Sequence, residues 1–155
     1  LKCPVLVEAR AMRTDSCGAG KYRGGLGLDV RVRNLVEGRW NFEHTKRQNC
    51  PPWGLWNGKP GEFGGYLMRL PGEEAFKPMR GAHVAVPIGS EAIVRTGGGG
   101  GWGDPLERDP RAVQHDVAEE FITAEAALRD YGVVLTATHE LDLEATKARR
   151  AAMKA

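Results

Sequence analysis

An α+β fold is predicted, mostly antiparallel β with glycine-rich loops, followed by C-terminal helices. Three observations carry it. Apolar residues recur at period two in short runs up to about residue 96. Glycines cluster between residues 18 and 27 and again at 97–101. Helix start and stop signals appear only beyond residue 104. At 155 residues the length suits one domain with an appended tail. Twenty-one glycines and nine prolines put much of the chain into turns and loops, so little core is buried per residue and a partner is expected to share the work of stabilisation.

The elements follow in order. Residues 3–12 alternate, with Val5, Val7, Ala9 and Ala11 on one face, and read as a strand in which Pro4 suits an edge or a first position. Residues 28–35 alternate with apolar Leu28, Val30 and Val32. Val36-Glu37-Gly38 then reads as a turn and residues 39–45 as a returning strand carrying Trp40 and Phe42, so a hairpin is predicted. Residues 46–65 form a long irregular segment, which is uncommon in a compact domain unless it is functional or docks on a partner. Strands are expected at Tyr66–Leu70, His83–Pro87 and Glu91–Thr96. Asp109 can cap a helix with Pro110 at its first position and Val113, Val117 and Phe121 at intervals of four. Thr123 can cap a second helix, Ala124–Tyr131, which Gly132 ends; Val133–Leu135 reads as a short buried strand. The tail from Asp142 has high helix propensity and few large apolar residues, which suits a solvated or partner-docking helix.

Charge and cysteine content exclude several classes. Lys+Arg 22 against Asp+Glu 20 leaves +2, spread among acids, so no nucleic-acid partner is expected. No apolar window approaches the roughly 20 residues that cross a bilayer, and no signal peptide opens the chain, so no membrane partner is expected. The start at Leu1, without an initiator methionine and within an apolar run, favours a processed or truncated N-terminus. Three cysteines, an odd count, argue against a disulfide framework and for reduced thiols in a cytoplasmic setting.

The chemistry-bearing stretch is residues 13–27, which places Arg13, Asp15, Ser16, Cys17, Lys21 and Arg23 among five glycines between two strands. Arg13 and Arg23 suit the edge of a site or a subunit contact, as does Lys21 beside them. Ser16 or Cys17 is a nucleophile if a histidine lies close; equally, Asp15 and Ser16 order their own loop through backbone amides. Cys3, Cys17 and Cys50 with His44 make a possible four-ligand zinc set, against the alternative of three idle thiols; their spacing is not that of a zinc finger. Gly98-x-Gly100-x-x-Gly103 satisfies a dinucleotide pattern only formally, because Asp104-Pro105 follows instead of a helix start. Close backbone packing is the expected role of Gly97–Gly101. Trp53, Trp56 and Trp102, each beside glycine, are expected to be buried in the domain or at an interface.

Arg13-Thr-Asp-Ser-Cys-Gly-Ala-Gly-Lys-Tyr-Arg-Gly-Gly-Leu-Gly27 resembles a motif of the hydantoinase B/oxoprolinase family, in which the position of Cys17 is glycine. Pro52-Trp53-Gly54-Leu55 through Gly61, Gly97–Gly101 followed by Trp102-Gly103-Asp104-Pro105, and Tyr131-Gly132-Val133-Val134-Leu135 agree in the same order. The resemblance is to the C-terminal part of the family's longer chain and implies residues 1–136 as that domain, with 137–155 a helical tail. It implies a split small subunit or a fragment, non-catalytic or site-completing, within an ATP-dependent ketone carboxylase or cyclic-amide hydrolase complex, most like the acetophenone carboxylase type. Its partners would be larger hydantoinase A-like and hydantoinase B-like subunits, which would carry the ATP and a divalent metal. No position here matches the family's metal ligands. The competing reading is a stand-alone interaction or scaffold module with a structural zinc; a third, an independent Cys17 hydrolase, requires the thiol to act alone.

Overall fold

The computed structural model describes residues 4–43 and 50–154. Five antiparallel strands make the main sheet, in the order β1 (Val5–Met12), β2 (Leu28–Asn34), β7 (Glu91–Arg95), β4 (Gly65–Arg69), β5 (Lys77–Pro78). β3 (Gly38–Phe42) pairs with β6 (Gly81–Val86) as a second sheet. Helices α1 (Pro110–Ala118) and α2 (Ala124–Tyr131) follow, then β8 (Val134–Leu135), β9 (Leu141–Asp142) and α3 (Leu143–Lys154). The α+β class, mostly antiparallel with late helices, is as the sequence predicts. Among the described residues no helix is long and apolar enough to cross a membrane.

The predicted hairpin of residues 28–45 does not form. β2 lies between β1 and β7, with Val30 opposite Val94 and Val32 opposite Ala92, while β3 leaves for the second sheet. Asn34 explains the departure. It is 1% exposed, and its side-chain amide donates to the carbonyls of Val36, Val86 and Pro87. Its backbone also exchanges bonds with Ser90 (2.8 Å) and Gly89 (2.9 Å). Those bonds turn the chain out of the main sheet at Leu35, so alternation finds a partner far along the sequence rather than next to it. Phe42 and Val86 from the second sheet then meet Met68 and Ala92 from the first, and Phe42 stands edge-on to Tyr66 at 5.4 Å. On the polar face, Arg31 and Arg33 pair with Glu8 and Glu91; Arg69 joins Glu91, and Phe76 lies under Arg31 and Arg69.

Helix ends follow local chemistry. Asp109 caps α1 through Arg111 N–H at 2.9 Å with Pro110 behind it, and Thr123 caps α2 through Ala126 N–H at 3.1 Å. Gly132, at φ 61°, ends α2 in the left-handed region. α1 stops at Ala118, short of Phe121, the last residue of the predicted period, because Glu120 takes φ 57° and the amides of Phe121 and Ile122 turn back to the carbonyl of Asp116. A second core gathers Ala19, Val113, Val117, Ile122, Ala126, Ala127, Tyr131 and Val133. α3 is tied to it: buried Thr146 accepts from Val134 N–H at 3.0 Å, and Arg150 donates to the carbonyls of Tyr131 and Arg108 at 2.9 and 2.8 Å.

The Tyr131 hydroxyl is buried without a protein hydrogen-bond partner among the described residues, and burial, then the neighbouring Cys17 thiol, pushes its phenol up. A buried unmet hydroxyl costs about 1–3 kcal/mol. Tyr131→Phe is therefore expected to unfold no earlier than the parent in a urea titration, with a gain of about 1 kcal/mol. A loss of that size would mean that the hydroxyl has a bonded partner.

Candidate functional site: the Arg13–Gly27 loop and its glycine bundle

Three glycine-bearing stretches lie side by side as extended, non-helical chain: residues 16–25, 53–61 and 97–103. Their backbones are cross-bonded. Gly18 N–H donates to Gly99 O (2.8 Å), Gly99 to Gly25 O (2.8 Å), Leu55 to Gly101 O (2.9 Å), Gly101 to Lys59 O (2.9 Å) and Lys59 to Ala19 O (2.7 Å). The spacing between them leaves no room for a side chain. A Cβ on Gly98 would stand 1.7 Å from the Ser16 carbonyl oxygen, and one on Gly100 1.9 Å from that of Trp53. Close backbone packing is thus what Gly97–Gly101 does.

The candidate residues of the loop are spread over its length, and each has an internal partner. Arg13 crosses its base, donating to the carbonyls of Phe63 (2.9 Å) and Thr96 (2.5 Å) and facing Asp29 at 3.5 Å. Burial pulls its guanidinium below the ordinary value, against the opposing pull of Asp29. Ser16 is 1% exposed; its hydroxyl donates to Arg13 O at 2.6 Å and accepts from Gly27 N–H at 2.8 Å. Asp15, at φ 59°, accepts from both the N–H and the hydroxyl of Thr123, at 2.8 and 2.9 Å, and so fastens the loop to the start of α2. Arg23 donates to Asp116 at 2.9 Å and lies over the Phe121 ring at 4.9 Å. Lys21 makes an exposed pair with Glu107 at 3.2 Å. With both functions of its hydroxyl used in closing the loop, Ser16 is not presented as a nucleophile.

The zinc set falls partly outside the described residues, where Cys3 and His44 lie. Cys17 is half-buried against the helical core, Cys50 is exposed, and both are free thiols. Among the described residues no three metal-binding side chains gather. Burial pushes the Cys17 thiol up, although Arg23 pulls the other way, which is contrary to what a ligating thiolate needs. ATP fits no better here. The amides of Gly98, Gly99, Gly101 and Trp102, the donors a phosphate cradle would use, already bond Glu62, Gly25, Lys59 and Tyr22.

Two open clefts flank β4. One of about 410 Å³ is lined by Pro52, Gly64, Gly65 and Val94 to Gly99. Another of about 300 Å³ is lined by Arg13, Glu62, Arg80, Arg95 and neighbours. Arg95 there grips Asp29 through three contacts of 3.0–3.1 Å, so its charge serves the sheet. Asp116 is the site residue that the sequence reading passes over. It holds both Arg23 and Arg108 (2.8 Å) at 3% exposure. The signal was present: Asp116 shares the inward face of α1 with Val113 and Val117, and an acid on a core face demands a cation from elsewhere.

The sequence profile of the hydantoinase B/oxoprolinase family matches residues 1–105, which hold both the loop and the glycine run. The chain belongs to the hydantoinase B/oxoprolinase family. It is 34% identical over 149 residues to the B-type subunit of a putative D-/L-hydantoinase from Pseudomonas sp. (strain NS671), covering 95% of this chain and 25% of that one. It is likewise 34% identical over 154 residues to the caprolactamase beta subunit of Pseudomonas jessenii, covering 96% and 26%. The crystal structure of the ATP-dependent caprolactamase from that organism superposes with a TM-score of 0.71 at 29% identity, over 96% of this chain and 26% of that one. A nucleotide-free acetone carboxylase superposes at 0.73 with 22% identity, over 97% and 25%, a likeness of fold. The chain spans about a quarter of the length of the curated relatives it matches.

Proposed function

We propose that this chain is the glycine-bundle portion of a B-type subunit in an ATP-dependent complex that opens cyclic amides or carboxylates ketones. In this reading it completes the B-type fold and supplies the wall of a shared cavity or interface, while larger A-like and B-like subunits hold ATP, the divalent metal and the substrate carbonyl. The observation that supports it most is the use of the loop's polar groups. Arg13, Asp15 and Ser16 are engaged by backbone groups and Arg23 by the Asp116 carboxylate, so each fastens the loop in place. An independent active site needs an acid, base or nucleophile with a free valence, whereas a site-completing piece needs rigidity. The hydantoinase and caprolactamase names of the relatives favour amide chemistry for the complex.

The test is assembly and turnover. Purified alone, the chain is expected to consume neither ATP nor a hydantoin, caprolactam or ketone. Co-expressed with larger B-like and A-like polypeptides of the family, it is expected to travel with them in one native mass and to accompany ATP-dependent turnover of one of those substrates. A lone monomer that turns over substrate would overturn the reading. Zinc at one equivalent in such a monomer would favour the scaffold module instead.

A further inference from the structure

Five large apolar side chains carried by the strands of the glycine bundle are exposed: Tyr22 62%, Trp53 76%, Leu55 53%, Trp56 74% and Trp102 45%. Their arrangement is built into the backbone. Trp102 is bridged by Tyr22 on one side and by Leu55 on the other, and residues directly opposed across a ladder send their side chains to the same face. The Tyr22 and Trp102 rings are in contact, tilted at 53° with their centroids 5.6 Å apart. Leu55 is fixed by Gly101 O and Gly103 N–H, each at 2.9 Å. Trp53 and Trp56 flank Leu55 in sequence. The turn at Trp56-Asn57 holds two consecutive non-glycine residues at φ 51° and 71°, closed by Gly58 N–H on Leu55 O at 2.9 Å. Such conformations are strained for non-glycine residues, yet the turn leaves Trp56 exposed.

A plate of Tyr22, Trp102 and Leu55, with exposed Trp53 and Trp56 next to Leu55 in the chain, is costly to hydrate and rich in the residues that dominate protein interfaces. Being braced by the glycine bundle, it would lose little side-chain or loop freedom on docking. The length of the relatives names the occupant. They match this chain over 95–96% of its residues, but the match takes in only 25–26% of their own, which leaves about three quarters of a B-type polypeptide against which this portion must pack. We infer that the Tyr22–Trp102–Leu55 plate, with Trp53 and Trp56, is the surface on which the remainder of a B-type polypeptide docks. The inference rests on the function proposed above and adds to it the face that is used. β1, the exposed edge of the main sheet, is the competing surface, since Leu6 and Val7 are also exposed.

The experiment co-expresses the tagged chain with a polypeptide that comprises the remaining three quarters of a B-type subunit and measures the amount captured. Trp53→Ser/Trp56→Ser is the plate variant and Leu6→Ser the β1 control. Thermal melting of each purified chain, within about 2 °C of the parent, reports that the fold is kept. Capture is expected to fall at least tenfold in the plate variant and to be unchanged in the control. The parent's tryptophan emission is expected to shift to the blue in the complex. Capture by the plate variant equal to the parent overturns this inference and leaves the proposed function standing. Failure of the parent itself to capture the B-type polypeptide overturns both. A parent that forms a homodimer which the plate variant loses assigns the surface to a second copy and likewise overturns it.

Discussion

Gly98→Ala is expected to abolish the folded chain or lower its melting temperature by about 10 °C or more. The added Cβ would sit 1.7 Å from the Ser16 carbonyl oxygen and 2.5 Å from its carbon. Neither atom belongs to a side chain that can swing away. Ser16 O also accepts from Glu62 N–H at 2.9 Å, and Ser16 itself closes the loop base through Arg13 O and Gly27 N–H. Relief therefore requires three backbones to part. Overpacking among side chains costs about 1–3 kcal/mol, and a clash between main chains exceeds that range. A loss of more than about 3 kcal/mol is a large share of the roughly 5–15 kcal/mol of a typical domain. At about 2–4 °C per kcal/mol for a chain of this size, a loss of about 3–5 kcal/mol gives a shift centred on about 10 °C. Gly25→Ala is the control. Its Cβ would meet nothing within 4 Å, so it is expected to stay within about 0.5 kcal/mol of the parent, with any gain coming from a stiffer unfolded chain. Calorimetry on both variants decides: equal behaviour of the two would mean that the bundle is not backbone-packed.

The same contrast explains what was legible in the sequence. Helix ends depend on residues two or three apart, so Asp109-Pro110, Thr123 and Gly132 could be read directly, and all three act as expected. The glycine run was legible as a close approach because no other residue type permits one, but which backbone approaches it was not; the contacts of Gly98, Gly100 and Gly101 lie 82, 47 and 82 residues away, at Ser16, Trp53 and Ala19. The hairpin failed for a similar reason. Alternation marks a strand without marking its neighbour, and Asn34 ties the adjacent Val36 to Val86 and Pro87, fifty-two and fifty-three residues on. β5 and β9, two residues each, are too short for any periodicity. The loop was correctly picked out as polar and glycine-rich, yet its cations have partners set by tertiary structure: Arg23 by Asp116, ninety-three residues on, and Arg13 by carbonyls fifty and eighty-three residues on. The tryptophans, expected to be buried in the domain or at an interface, are exposed on this chain because the glycine strands bring their backbones, not their side chains, together.

Asp116→Ala is expected to cost about 3–5 kcal/mol, the range for removing one partner of a buried ion pair. The carboxylate is 3% exposed and serves two guanidiniums, Arg23 at 2.9 Å and Arg108 at 2.8 Å, whose side chains are themselves mostly buried. With the acid gone, two positive charges face one another with no anion between them. Arg23 keeps the Phe121 ring and the Gly24 carbonyl, and Arg108 keeps the Lys21 carbonyl; none of these replaces a full charge. The consequence is local as well as global. Arg23 belongs to the glycine loop and Asp116 to α1, so the pair is a rivet between the bundle and the helical core, and its loss is expected to raise amide exchange at Gly24 and Tyr22 before the main sheet opens. Lys21→Ala separates charge from burial. Its pair with Glu107 is about half exposed on both sides, and such pairs contribute about 0–1 kcal/mol, so a shift below about 1 kcal/mol is expected there. Removing charge and cations together is the stricter test: Asp116→Leu with Arg23→Met and Arg108→Met is expected to recover much of the lost stability, because apolar replacement of a buried ionic cluster is often neutral. If Asp116→Ala unfolds at the parent's urea midpoint, the bundle does not depend on this carboxylate, and the bonds of Thr14 to Glu120 O and of Asp15 to Phe121 O and Thr123 suffice to hold the loop to the helices.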